Sequence, residues 1–172
     1  MPTIFNQNDQ CYQNDEHPHQ KFGIQTAFPR LWKKANSENL VFDFRRPPPA
    51  QYSFPYHFHH NAEEIIFILS GEMTMRSPEG FQEVKTGDLI FFEIGESGAH
   101  QFYNHTEADC IYFDLRTAMG IDVSEYPDSG KINILPAFDI FVKGAQADYF
   151  DGEEKVEEQW SGWRKNSNHE EG

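Results

Sequence analysis

Basic residues are scarce in this chain. Fourteen lysines and arginines stand against twenty-eight aspartates and glutamates in 172 residues, a formal net charge of −14. So acidic a surface repels phosphate backbones and anionic headgroups, which argues against a nucleic-acid partner and against an anionic membrane surface. It also means that an anionic substrate must be drawn by a local cluster or a metal ion, because the global field opposes it. Cysteine is scarcer still. Cys11 and Cys110 are too few for a disulfide framework, and Cys110, within Cys110-Ile111-Tyr112-Phe113, reads as a small buried side chain. Long apolar runs are missing as well: Ile65 to Leu69 and Leu89 to Phe92 fall far short of the ~20 residues that cross a bilayer. Met1 to Gln20 is polar, with no apolar h-region of a secretory signal. The expectation is a cytoplasmic protein, and with no helix-turn-helix pattern a DNA-binding regulator is not expected.

What the chain does carry is aromatic. Sixteen Phe, seven Tyr and three Trp favour strands and fill the interiors of sandwiches and barrels. From Gln51 to Leu115 short apolar or alternating runs are separated by turn residues: Ser70-Gly71, Ser77-Pro78-Glu79-Gly80, Thr86-Gly87-Asp88 and Gly95 to Gly98. That spacing predicts an all-β sandwich or barrel. Asn39 to Arg46 alternates as a strand and Pro47-Pro48-Pro49 stops it. Residues 1–21, rich in Asn, Gln, Asp and His, read as an irregular arm. After Arg116 strand periodicity fades. Tyr126 to Lys131 is turn chemistry, Ile132 to Val142 adds one or two extended pieces, and residues 151–172 form an acidic helical or irregular tail that docks Trp160 and Trp163. The expected organisation is an N-terminal arm over 1–38, a barrel over 39–143 and an acidic extension over 144–172.

The chemistry concentrates in His57-Phe58-His59-His60-Asn61-Ala62-Glu63-Glu64, with a further imidazole at His100. Histidines at i and i+2 of a strand point to one face, so His57 and His59 can reach one ion. Glu64 opens the apolar run that follows and can return to the same interior. Neutral imidazoles and a carboxylate bind Zn, Fe, Mn, Co, Ni or Cu. The plainer reading is a pair of strand histidines bonded to backbone. His60 and Glu63 are rivals within the motif; Asn104, four residues after His100, reads as a strand-end residue that bonds backbone. Ile66, Ile68, Met73, Met75, Phe91 and Phe102 are candidates for the interior beside the ligands. Arg45, Arg46, Arg76 and Lys131 are cations that can grip a phosphate or carboxylate, although surface solvation explains each singly.

His57, His59, Glu64 and Gly71, in the order H-x-H, four residues, E, six residues, G, resemble the first motif of the cupin superfamily. Gly87, Gly95, His100 and Asn104 resemble the second. Glu93 stands where the family usually has proline, and the span from Gly95 to His100 is two residues longer, which reads as a lengthened turn over Glu96 to Ala99. The resemblance implies a cupin-type double-stranded β-helix, or jelly-roll barrel, with irregular N- and C-terminal extensions. It further implies one divalent transition metal ion per chain (Zn, Fe, Mn or Ni) held by His57, His59, Glu64 and His100, and an N-terminal arm that pairs with a second subunit. Three imidazoles and one carboxylate leave a position for a small-molecule ligand, the mark of a catalytic or sensing site. Tyr126 to Lys131 and Asp148 to Glu153 resemble single-domain bacterial cupins that carry the inferred label of sugar-phosphate isomerases. A metal-dependent isomerase of that kind leads. A metal-dependent dioxygenase and a non-catalytic small-ligand binder are the alternatives. No general acid or base is assigned, and a homodimer is expected because small barrels cover their open edges.

Overall fold

The computed structural model describes residues 2–14, 21–144, 146 and 149–159. The strands in chain order are β1 (Cys11–Asn14), β2 (Gln25–Phe28), β3 (Leu40–Arg46), β4 (Phe58–His59), β5 (Glu64–Ser70), β6 (Glu72–Ser77) and β7 (Gly80–Lys85). They continue with β8 (Leu89–Phe92), β9 (Gln101–Tyr103), β10 (Ile111–Thr117), β11 (Asp122–Tyr126), β12 (Lys131–Leu135) and β13 (Asp139–Val142). One helical turn, α1 (Leu31–Lys34), lies between β2 and β3, and a second, α2 (Val156–Gln159), lies near the C-terminal end.

The strands form three antiparallel sheets: β1-β2-β3-β10-β5-β8, β13-β12-β11-β4 and β7-β6-β9. This is the all-β architecture expected from turn spacing, and its antiparallel sheets are consistent with the jelly-roll barrel that the motif resemblance implies. β5 shows how the pattern is set. Glu64, Ile66 and Ile68 are buried while Ile65, Phe67 and Leu69 are half-buried, the two-residue period of a strand with one face on the core. Ile66 and Ile68 meet Met73, Met75, Val84, Phe92, Phe102, Cys110 and Tyr112 in the main interior cluster. At the β5–β6 hairpin Gly71 adopts φ +81°, and a Cβ there would lie 3.0 Å from the Asp109 carbonyl oxygen and the Cys110 Cα, so the turn needs a residue without a side chain.

Three expectations are corrected. The N-terminal segment is not irregular throughout: β1 pairs with β2 and β2 with β3, because Tyr12, Ala27 and Leu31 bury apolar surface against Phe42, Phe44 and Phe113. Strand structure does not fade after Arg116, since β11 and β12 pair over five residues. Phe91 is not interior. It is 56% exposed, and Phe92 is buried in its place, because Phe92 is the ladder partner of the inward-facing Glu64 and partners share a face.

By contacts the chain divides after Val142. In the described part of the second unit α2 is a single turn, and Tyr149 and Phe150, both exposed, meet edge to face with centroids 4.8 Å apart. His17, His19, His169, Trp160 and Trp163 lie outside the described residues. No helix among the described residues is long and apolar enough to cross a membrane.

Candidate metal centre

Three parts of the fold bring the four sequence-selected side chains together. A backbone bridge couples the first strand motif to the second: His57 N–H donates to the His100 carbonyl at 3.2 Å, and His100 N–H donates to the His57 carbonyl at 2.9 Å. β4 supplies His59 and β5 supplies Glu64 at its first residue. His57, His59 and Glu64 each offer a ligand atom within 4.8 Å of the other two. The Glu64 Oε2 atom lies 3.7 Å from His59 Nε2 and 3.4 Å from His100 Nε2. The His57 ring centroid is 5.2 Å from that of His59 and 4.8 Å from that of His100.

The far nitrogen of each ring is already committed. His57 Nδ1 donates to the Pro55 carbonyl at 2.8 Å, His100 Nδ1 to the Gly98 carbonyl at 2.9 Å, and His59 Nδ1 to the Asp122 carboxylate at 2.5 Å. These bonds select the tautomer that leaves the Nε2 lone pair free. Burial, then the charges of the neighbouring imidazoles, holds His57 well below the usual histidine range. Burial likewise lowers His100 to about 4. Both rings are therefore neutral at pH 7, the form that binds a cation. Glu64 Oε2, buried, has no hydrogen-bond partner. Burial raises Glu64 well above the usual carboxyl range, and the neighbouring Asp114 raises it further. An orphaned carboxylate oxygen facing free imidazole nitrogens fits a divalent transition ion, whose charge satisfies them all.

The supporting residues were not legible in the sequence. Asp122, 4% exposed, accepts from His59, from the Asn61 backbone N–H at 2.8 Å and from Arg116 at 3.4 Å. Burial works to raise its pKa, but the His59 bond and charge carry it below the usual value. Behind Glu64, Asp114 accepts from Arg45 at 3.0 Å, and Arg45 donates to Thr26 at 2.7 Å. Arg45 is thus buried inside the barrel and not a solvated surface cation. Phe92 stacks on His100 with centroids 3.7 Å apart and 21° between planes; Tyr126 stacks on His57 at 5.9 Å and 27°.

The remaining candidates lie apart. His60 is exposed and meets Glu125 at 3.1 Å; Glu63 is exposed. Asn104 is fully buried and bonds backbone: its Nδ2 donates to the carbonyls of Pro47 and Ala108, and its Oδ1 accepts from Thr106. Arg46 bonds Gln25 and Arg76 forms a two-point pair with Asp128. The lengthened turn is a 3-10 turn over Glu96–Gly98. A Cβ at Gly98 would sit 1.9 Å from the Glu93 carbonyl oxygen, so only glycine lets this turn close and aim its carbonyl at His100.

Comparison with known proteins agrees with this arrangement. A family model described as a cupin domain matches residues 44–116, a span containing all four side chains. No curated protein matches the chain. A solved sugar phosphate isomerase from a cupin superfamily of Silicibacter pomeroyi is similar at TM-score 0.73 and 18% identity, over 87% of this chain and 98% of that one. A protein of Acidithiobacillus ferrooxidans provisionally named sugar phosphate isomerase is similar at TM-score 0.70 and 18% identity, over 80% and 89%. A predicted oxalate decarboxylase of Thermotoga maritima is similar at TM-score 0.56 and 19% identity, over 68% and 100%. At these identities the solved structures speak to the fold alone, while the domain match shows that residues 44–116, the stretch that carries the motifs, are similar to a cupin domain.

Proposed function

We propose that His57, His59, Glu64 and His100 hold one divalent transition metal ion, Zn, Fe, Mn or Ni, and that the protein acts on a small molecule there. The observation that carries this is the meeting of Nε2 lone pairs, each fixed by an Nδ1 bond, with a buried carboxylate oxygen that has no other partner. Such a group is costly to bury unless a cation joins it. The bound ion would supply Lewis acidity toward a ligand carbonyl. The chain's residues do the rest. Asp122 and the Pro55 and Gly98 carbonyls orient the imidazoles, and Phe92 shields His100 from water. Residues 39–143 carry all four side chains, and β1 and β2 of residues 1–38 extend the sheet that holds Glu64.

Within that reading the leading subclass is isomerisation of a sugar phosphate, the name borne by two of the structurally similar proteins. Metal analysis is the first test: native protein should carry one ion per chain, and His57→Ala and Glu64→Ala should not retain it. Metal-free native protein that takes up no ion would end the proposal. Turnover of sugar phosphates by the loaded protein supports the subclass. Oxygen uptake after iron loading would replace it with a dioxygenase, and tight ligand binding without product would make the protein a binder. Two copies are inferred to associate through the outer face of β8, where Leu89 and Phe91 are exposed. The two cysteines, unbridged in the structure, support a cytoplasmic setting.

A further inference from the structure

The four-stranded sheet carries polar groups that metal ligation leaves unused. Antiparallel ladder partners point to the same side. His59 pairs with Ser124, and Ser124 pairs with Asn133, so one row runs from a metal ligand across β4, β11 and β12. Ser124 Oγ lies 3.2 Å from His59 Nδ1. Asn133 is 3% exposed, yet its Oδ1 has no hydrogen-bond partner. Its Nδ2 reaches the Tyr126 hydroxyl at 3.5 Å. Exchanging the two ends of the amide would still leave one end unmet. Protein interiors rarely tolerate an orphaned amide, so a hydrogen-bonding partner from outside the chain explains this one.

A second pair lies one step along the same two strands. Tyr126 stacks on His57 and is the ladder partner of Lys131, whose ammonium lies 5.6 Å from the Tyr126 ring centroid. The neighbouring cations are occupied: Arg45 by Asp114, Arg116 by Asp122 and Arg76 by Asp128. Lys131 has no carboxylate partner among the described residues. In a chain of net charge −14, a cation left unpaired beside the centre is where an anion can be held.

We propose that Asn133, Tyr126 and Lys131 form the recognition wall of this centre and select a hydroxylated anion, a sugar phosphate or a sugar acid. Asn133 accepts a hydrogen bond from a ligand hydroxyl, the Tyr126 phenol bonds beside it, and Lys131 pairs with the phosphate or carboxylate. The assignment rests on the metal reading above, because the wall is defined by its distance from His57 and His59.

Titration calorimetry on zinc-loaded protein tests it, with zinc content measured on each sample. The probes are ribose 5-phosphate, glucose 6-phosphate, gluconate, free ribose and inorganic phosphate. At least one hydroxylated anion should bind about tenfold or more tightly than ribose or phosphate alone. A phosphate ester that binds while gluconate does not identifies a sugar phosphate site; the reverse identifies a sugar acid site. Asn133→Leu should weaken that ligand about tenfold with zinc content unchanged. Lys131→Met, at a partly exposed position that leaves folding intact, should abolish the preference for the anion over free ribose. The proposal is overturned if no hydroxylated anion binds the zinc-loaded wild type, or if Lys131→Met and Tyr126→Phe both bind as wild type does. A wild type that takes up no zinc overturns the metal reading, and this wall with it.

Discussion

Asp122 does for His59 what backbone carbonyls do for His57 and His100, and it does so as a charge. Its substitution separates orientation from ligation. Asp122→Asn keeps the shape but exchanges a carboxylate for an amide that can present a donor to His59 Nδ1. Outer partners of this kind contribute roughly 10–100-fold to metal affinity. Competition against a chromophoric chelator should show a loss in that range, with one ion per chain still bound at saturation; unchanged affinity would remove Asp122 from the centre. Protonation gives a second expectation. In the metal-free protein His57 and His100 are held neutral, whereas unfolded histidines take up protons below about pH 6.5. Glu64 opposes them, since the folded chain keeps a proton that an unfolded glutamate gives up above about pH 4.3. Two groups against one leave the unfolded chain binding more protons between those limits, so these groups destabilise the fold as pH falls through that window. Chelator-treated wild type should therefore lose more Tm between pH 7 and pH 5 than His100→Gln does. Equal losses would mean that His100 is not buried neutral.

At the scale of elements, β8 offers the sharpest contrast, because adjacent residues of one type face opposite ways. Phe92 packs on His100 and Phe102, while Phe91 is exposed. Phe92→Ala should cost about 3–5 kcal/mol of stability, as a large-to-small change in a packed interior does. Phe91→Ala, measured in dilute solution, should cost about 0.5 kcal/mol or less. Denaturant titration of the two variants checks the register directly, and similar costs would contradict it. The sequence could not decide between them: Leu89-Ile90-Phe91-Phe92 is apolar throughout, and only pairing with Glu64 sets which face is inner. β11 failed to show for the opposite reason. Its inward positions are Asp122, Ser124 and Tyr126, so the alternation that marks β5 so plainly is polar here. What hid the strand is the same set of side chains that surrounds His59. The candidate ligands themselves were legible because a strand histidine pair and a carboxylate lie within eight residues. Asp122 and Asp114 were not, since Asp122 meets His59 and Asp114 meets Arg45 across more than sixty residues of chain.

Across the whole molecule the outer face of the largest sheet sets apolar attraction against net charge. Ladder pairing aligns Phe44, Phe113, Phe67 and Leu89 in one row and Phe42, Leu115, Ile65 and Phe91 in the next. At the β3 side the chain covers these rows itself, with Phe5, Tyr12 and Leu31 packed on Phe42, Phe44 and Phe113. At the β8 side Leu89 and Phe91 stay exposed on an edge strand, where unpaired backbone groups and apolar side chains both invite another chain. A second copy meeting this edge about a twofold axis would cover both. Each copy brings a formal charge of −14, however, and the repulsion reaches about 30 Å at 0.01 M salt but only about 10 Å at 0.1 M. Association through these rows should therefore strengthen as salt is added, the reverse of an interface built on ion pairs. Sedimentation at low and moderate ionic strength should show the dimer fraction rising with salt. Phe91→Glu should leave a folded monomer at every concentration of salt, since it buries a charge against its own symmetry mate. A dimer that weakens with salt, or one that Phe91→Glu leaves intact, would place the contact elsewhere on the molecule.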